Sequence, residues 1–359
     1  MQKITNIEIK NFKSIRHQKI DDCRRINVFI GYPNVGKSNI LEALSVFSIN
    51  EAKVDFSTFI RMEDLTTLFY NGEINQQSEI KINEKHRVVV RLVNDTLSFE
   101  QQFEKEETSF EYKNSRMVTL DNSADVSIVK SFNVEEKDKQ ISNFHAGALQ
   151  RQDELSEVRK YQFLKNTKLS GKNYSSLSYP SGDNIFNIIS TNKNLKNEVA
   201  QFFNPYSLEL LYDTRLQRFE ILKRTILGIF TVPYTMIADT IQRLIFYKAA
   251  ILSNKEKVLL FEEPEAHMFP PYISKFTSDI IHDENHNQFF IATHSPFVMN
   301  DLISSGEKDE LSIYIVSYEN ESGETLIYRM SEEEVDETYQ FGYDFFMNIN
   351  NFIPQKEHG

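Results

Sequence analysis

Apolar and polar positions alternate along this chain with two periods, and the switch between them marks out its elements. Two alternating stretches, Ile4-Thr-Asn-Ile-Glu-Ile and Lys13-Ser-Ile-Arg-His-Gln-Lys-Ile, predict a hairpin over residues 4–20. Ile26, Val28, Phe29 and Ile30 predict a short buried strand, and Ile40, Leu41, Leu44 and Phe47 follow at helical spacing. Residues 51–77 are mixed. From 79 to 132 the period is two. Glu79-Ile-Lys-Ile, Arg87-Val-Val-Val-Arg-Leu-Val, Thr96-Leu-Ser-Phe-Glu-Gln-Gln-Phe, Met117-Val-Thr-Leu and Val126-Ser-Ile-Val predict an antiparallel sheet with Asn/Asp/Ser turns. Residues 133–165 are highly charged and read as exposed, then helical, and Ser170–Asn184, with Gly171, Pro180 and Gly182, reads as a loop.

Residues 185–230 return to helix and strand. Ile237, Ile241, Leu244, Ile245, Ala249 and Leu252 then predict an amphipathic helix. Val258-Leu-Leu-Phe and Phe289-Phe-Ile-Ala are strands without a polar face, with a helix over Tyr272–Ile281 between them. Continuous apolar strands alternating with helices point to a parallel sheet covered on both faces. A hairpin is expected over 312–318 and 325–330, and Ser331-Glu-Glu-Glu334 reads as a capping box opening a last helix.

Composition bounds this picture. The 359 residues, 40% hydrophobic, suffice for two modest domains or one large domain with insertions. There is no apolar run near 18 residues, which argues against a membrane-spanning helix. Met-Gln-Lys-Ile-Thr-Asn has no apolar signal-peptide core, and the single cysteine, Cys23, fits a reducing compartment, so a cytoplasmic protein is expected. Cys23 reads as inert, although Arg24 and Arg25 beside it have the charge to lower its pKa. A net charge of −12 disfavours non-specific coating of nucleic acid. The basic stretches Arg215, Arg218, Lys223, Arg224 and Lys165, Lys168, Lys172 leave local DNA contact open, with ordinary surface charge as the plainer reading.

The candidate chemistry sits at strand ends. Gly31, four residues, then Gly36-Lys37-Ser38 is a phosphate-binding loop between a predicted strand and helix. Glycines let backbone N–H groups converge on phosphate oxygens, where the helix adds the positive end of its dipole. Lys37 is placed to reach the β- and γ-phosphates and Ser38 to coordinate Mg²⁺. Val258-Leu-Leu-Phe ends in Glu262-Glu263-Pro264-Glu265. Glu262 fits a metal-shell carboxylate and Glu263 a proton acceptor for an attacking water. An acidic, solvated strand end is the alternative. Phe289-Phe-Ile-Ala ends in Thr293-His294-Ser295. There His294 reads as a γ-phosphate sensor, or Thr293 and Ser295 simply cap the next helix.

Asn11-Phe12-Lys13-Ser14-Ile15 and Gly31-Tyr-Pro-Asn-Val-Gly-Lys-Ser-Asn-Ile-Leu-Glu-Ala-Leu44 together resemble the RecF/SMC-type branch of ABC ATPases. Glu262-Glu-Pro-Glu-Ala-His267 and Ala292-Thr-His-Ser-Pro296 resemble the overcoming-lysogenization-defect (OLD) and related AAA-type ATPases within it. The resemblance covers residues 1–70 and 230–300, with a looser match at Pro180-Ser-Gly-Asp-Asn184. It implies an α/β P-loop NTPase of ABC-ATPase type, with a mainly parallel core sheet, an antiparallel β subdomain and an inserted helical region. It further implies ATP and Mg²⁺ as cofactors, and it assigns Asn34 and Asn39 to the phosphate loop.

On this pattern two protomers sandwich ATP head to tail. The partner's signature helix would begin near Ile237-Ala238-Asp239-Thr240, with Asp239 lying 23 residues before Glu262. An ordinary core helix is the alternative there, since the signature glycines are absent. Glu262 stands where the family usually carries Asp, which implies slow turnover. Gln76 and Gln77 fit either the glutamine loop or a surface turn, and His267 a family position or a helix-capping or core role.

The 63 residues from Phe297 to Gly359 are too few for the toprim nuclease domain of many OLD proteins, so any effector, a nuclease for example, is expected as a separate chain. Three segments are expected: residues 1–100 with the P-loop and β subdomain, 101–230 with a β meander and helical insertion, and 231–359 with the signature helix, the acidic strand end and the histidine. The resulting expectation is an ATPase that dimerises on ATP and regulates an effector in anti-phage defence or DNA maintenance. A nucleotide-sensing interaction module with negligible turnover is the alternative.

Overall fold

The computed structural model describes residues 3–49, 55–104, 126–135, 141–146, 157–165, 169, 174–216, 218–305, 308–341 and 345–353. In chain order the strands are β1 (Ile7–Phe12), β2 (Ile15–Ile20), β3 (Ile26–Ile30), β4 (Ser78–Ile82), β5 (His86–Val93), β6 (Thr96–Glu104), β7 (Val126–Glu135), β8 (Ile141–Ala146), β9 (Val158–Tyr161), β10 (Leu208–Asp213), β11 (Arg218–Thr225), β12 (Gly228–Pro233), β13 (Val258–Glu262), β14 (Gln288–Ala292), β15 (Leu311–Tyr318) and β16 (Thr325–Arg329). The helices are α1 (Lys37–Ser45), α2 (Ile185–Thr191), α3 (Lys193–Gln201), α4 (Asp239–Ser253), α5 (Pro270–Ile281), α6 (Pro296–Ser305) and α7 (Glu332–Phe341). The fold is α/β with parallel strand pairs and an antiparallel sheet.

The chain divides into two compact units, residues 1–159 with 309–359 and residues 160–308. In the first, a seven-stranded antiparallel sheet runs in the order β2-β1-β4-β5-β6-β7-β8. Its predicted hairpin forms with Ile7 opposite Ile20 and Phe12 opposite Ile15. The alternation sorts the faces: Ile7, Ile9, Ile80, Ile82, Val88 and Val90 are buried. Beside this sheet in sequence, β3 pairs in parallel with β15, Val28 opposite Ile313, and β15 turns back antiparallel into β16. All five residues of β3 are buried, and so are Ile40, Leu41 and Leu44 on α1. Each such apolar side chain contributes about 1.5–3 kcal/mol. The capping box of α7 closes in both directions: Ser331 N donates to Glu334 Oε2 (2.7 Å) and Glu334 N to Ser331 Oγ (3.2 Å).

The second unit holds the parallel pair β13 and β14, Val258 opposite Gln288 and Glu262 opposite Ala292. Helix α4 supplies its core, where Tyr247 meets Phe261 (5.3 Å between ring centres) and Phe276 (5.5 Å). Helices α2 and α3 form the helical insertion, and β10, β11 and β12 make a small antiparallel sheet.

One sequence expectation is corrected. Residues 133–165 are not helical where described: β7 continues to Glu135, and β8 and β9 are strands. The charges there mask short alternating runs such as Ile141-Ser-Asn-Phe, and pairing of β8 with β7 decides the conformation. The strand expected at Met117–Leu120 lies outside the described residues.

Candidate functional site: a phosphate cradle, an acidic strand end and a histidine-bearing strand end

The loop from β3 to α1 is shaped by close backbone approach. A Cβ on Gly31 would lie 2.2 Å from the Val316 carbonyl oxygen. Gly36 caps α1 in a left-handed conformation (φ 103°), and a Cβ there would lie 2.2 Å from Thr325 Oγ1. Asn34 also takes a positive φ of 62°. Lys37 is buried over the loop, its Nζ donating to the carbonyls of Gly31 (3.0 Å) and Tyr32 (2.8 Å). Ser38 and Asn39 are half-buried in the first turn, and the Asn39 N–H donates to the Gly36 carbonyl (3.0 Å).

Behind this loop runs a chain of hydrogen bonds that the sequence did not disclose. Asn39 Nδ2 donates to Ser14 Oγ (2.6 Å), which lies 2.6 Å from Thr325 Oγ1. Thr325 donates in turn to the Val35 carbonyl (2.9 Å). Glu42, fully buried one turn into α1, is held by Lys13 and by Arg61 Nε (2.7 Å). Lys13 and Ser14 lie in the Asn11–Ile15 motif and Asn39 and Glu42 in the Gly31–Leu44 motif, whereas Thr325 and Arg61 carried no sequence signal.

In the second unit, β13 ends in Glu262, half-buried, with its Oε2 3.9 Å from Nζ of the buried Lys160. Glu263 is exposed, has φ 42°, and donates its N–H to the Ala292 carbonyl (2.8 Å). Its Oε1 lies 3.5 Å from Nε2 of His294, which follows β14. The buried Glu265 accepts from Thr293 Oγ1 (2.6 Å) and from the His294 N–H (3.0 Å). Burial pushes its carboxyl group up, against the lowering effect of those hydrogen bonds. Ser295 Oγ accepts from Val298 N (3.4 Å), so the capping expected of Ser295 coexists with a half-buried His294.

At the start of α4, Asp239 pairs with Arg243 (2.8 Å), and Thr240 Oγ1 donates to the His267 carbonyl (2.7 Å). Both predicted signature residues thus have local partners. Gln76 and Gln77 are exposed and bonded to neighbours, Gln76 to Glu73 and Gln77 to Arg91. Cys23 is buried, which pushes its thiol up to about 12 even though Tyr314 donates to it. Its neighbours Arg24 and Arg25 are engaged with Glu332 and Glu310. On the basic stretch, Arg224 pairs with Glu209 (2.9 Å) and Arg218 with Glu220, which offsets half of its charge.

In the first unit, a tight glycine-containing loop with a lysine and a serine hydroxyl at a helix N-terminus fits a nucleotide phosphate. In the second unit, a strand ends in a carboxylate of the kind that ligates a hard cation. Among the described residues no cluster of three or more His, Cys, Asp or Glu side chains forms a separate metal site, and no helix is long and apolar enough to cross a membrane.

These features define a P-loop ATPase-type α/β protein. Residues 26–300 match the family model AAA_21, described as "AAA domain, putative AbiEii toxin, Type IV TA system", and the chain belongs to that family. Over 109 residues it is 32% identical to the uncharacterized protein MJECL10 of Methanocaldococcus jannaschii, covering 27% of this chain and 49% of that protein. Over 41 residues it is 49% identical to a Helicobacter pylori protein named ATP/GTP phosphatase, covering 11% of each. The chain thus spans about half the length of the first relative and about a tenth of the second.

Among solved structures it is similar to an SMC head bound to the C-winged helix domain of ScpA, at 15% identity and TM-score 0.48, over 93% of this chain and 99% of that one. It is similar also to the SMC head domain from Thermotoga maritima, at 13% identity and TM-score 0.41, over 92% and 100%.

Proposed function

We propose that this chain binds MgATP at the β3–α1 loop and hydrolyses it as an ABC-type ATPase of the RecF/SMC branch with OLD-like strand-end motifs. The observation that carries the reading is the loop at Gly36, a left-handed helix cap packed against Thr325 and Ser14 that brings Lys37 and Ser38 to the N-terminus of α1, where the helix dipole favours a phosphate. Gly31, Asn34, Gly36 and Asn39 shape the loop. Lys37 exchanges two backbone carbonyls for phosphate oxygens. Ser38 and Glu262 would hold Mg²⁺, whose positive charge would offset that of the phosphates.

Glu263 accepts the proton of the attacking water, and His294, 3.5 Å from it, contacts the γ-phosphate. ATP then joins two copies, with Asp239 and Thr240 of α4 presented to the other copy's nucleotide. The dimer controls a separate effector, a nuclease for example, in defence or DNA maintenance.

A second reading, a nucleotide sensor with negligible turnover, is favoured by Lys160 standing 3.9 Å from Glu262, where it competes with a metal for the carboxylate. Light scattering with and without MgATP, together with phosphate release, separates the two. Glu263→Gln is expected to lower hydrolysis about 100-fold or more while keeping ATP affinity and trapping the dimer. Calorimetry that finds no ATP binding to the unmutated chain overturns both readings. Background turnover with nucleotide-dependent assembly selects the sensor.

A further inference from the structure

We propose that Glu265 is a positioning residue, whose buried carboxyl group ties the turn after β13 to the turn after β14 and so holds His294 opposite Glu263. The inference rests on the hydrolytic reading above for its consequence in catalysis, but its geometry stands without it. Three hydrogen bonds carry it. Glu265 Oε1 accepts from Thr293 Oγ1 (2.6 Å) and from the backbone N–H of His294 (3.0 Å), and Thr293 Oγ1 itself accepts from Ser295 N (3.0 Å). The residues on either side of His294 are therefore fixed through one carboxyl oxygen.

The turn that carries Glu265 is itself anchored. Glu263 N donates to the Ala292 carbonyl (2.8 Å), Ala266 N to the Glu263 carbonyl (3.0 Å) and Met268 N to the Glu265 carbonyl (2.8 Å). The His267 carbonyl receives Thr240 Oγ1 from α4 (2.7 Å). Glu265 thus lies between two fixed points, and its side chain is the link between the base and the histidine.

The side chain is only 9% exposed, and its Oε2 is buried with no hydrogen-bond partner among the described residues. A buried carboxyl oxygen without a partner is costly and is retained where it does something else. A glutamine satisfies the same geometry, because its carbonyl oxygen accepts both bonds made by Oε1. The role is therefore separable from charge, and it predicts rescue by the amide.

The test uses the full chain and four variants, Glu265→Ala, Glu265→Gln, Thr293→Val and Thr293→Ser. Three quantities are read: ATP affinity by calorimetry, kcat and KM for phosphate release, and the His294 imidazole resonance in ¹⁵N-histidine-labelled protein, assigned by its loss in His294→Gln. Glu265→Ala is expected to lower kcat about 10- to 100-fold with KM within about twofold, and to move the His294 resonance. Glu265→Gln is expected to restore kcat to within about threefold and to return the resonance. Thr293→Val, which keeps the buried carboxyl group, gives the same direction of change should Glu265→Ala not fold, and Thr293→Ser restores it.

An unmoved His294 resonance in both Glu265→Ala and Thr293→Val overturns the proposal. So does a rise in KM at constant kcat, which would place Glu265 in nucleotide binding instead. An unmutated chain that binds ATP without hydrolysing it overturns the hydrolytic reading alone, and the His294 resonance then still decides whether Glu265 positions the histidine.

Discussion

Around Gly36 the chain builds with backbone, and around Glu263 it builds with side chains. In the cradle the decisive features are a missing Cβ, a left-handed cap and carbonyls that already hold Lys37. Its polar chain from Asn39 through Ser14 and Thr325 ends on the Val35 carbonyl, so these side chains serve the shape of the loop. At the strand ends the decisive features are carboxylates and a histidine, with a strained backbone at Glu263 and a buried oxygen left unpaired at Glu265. A rigid cradle suits binding that is the same at every encounter. A frustrated cluster suits a step in which protons and contacts change.

The largest effect expected on this contrast comes from adding one carbon to the cradle. Gly36→Ala puts a Cβ 2.2 Å from Thr325 Oγ1 at a φ of 103°, and calorimetry should find MgATP affinity lowered about 100-fold or more. Unchanged affinity would mean that the loop is not rigid.

An intermediate effect follows from Thr325→Val, which keeps the branched shape but leaves the Val35 carbonyl and the Ser14 hydroxyl short of a partner, at about 1–3 kcal/mol. A fall in Tm of a few degrees with ATP affinity about three- to tenfold weaker is expected, and a fall in Tm with full affinity would separate the network from the cradle's shape.

The smallest effect sets the strand-end carboxyl group Glu265 against a carboxylate of the antiparallel sheet, Glu8, in acid. Burial raises the Glu8 carboxyl, but hydrogen bonds from His17 and Lys10 and the charges of Lys10 and Lys81 outweigh it and hold Glu8 at about 2, below its ordinary 4.5. Its stabilisation is complete above 4.5 and is lost as pH falls towards 2, about 1–2 kcal/mol after solvent screening. Glu265 runs the other way. Its folded value is raised, so its ionisation destabilises the fold as pH climbs past 4.5, and acid relieves it. Urea titrations should show Glu8→Gln flattening the loss of stability between pH 4.5 and 2, and Glu265→Gln flattening the dependence above pH 4.5.

The cradle was legible because its information is local. Gly31 to Ser38 is one run of chain, and its spacing fixes its conformation between a buried strand and an amphipathic helix. The hairpins and the capping box of α7 were legible for the same reason. Strands β8 and β9 were not; for β8, pairing with the neighbouring β7 decided against the local charge pattern. Thr325 was invisible as well, since it stands 311 residues from Ser14 and carries no motif. Glu265 was given no role of its own by the sequence, and only the fold shows that it is buried while Glu263 is exposed. Family membership followed from the motifs, and the roles of single residues depend on contacts that spacing does not encode.

The left-handed backbone of Glu263 has a meaning for descent. A glutamate at φ 42° costs about 1 kcal/mol that an asparagine or a glycine there would largely avoid. Drift alone would therefore replace it. On the proposed role of Glu263 as the base, a lineage that no longer needs the carboxylate becomes more stable by losing it, and position 263 would then record whether selection for turnover has persisted.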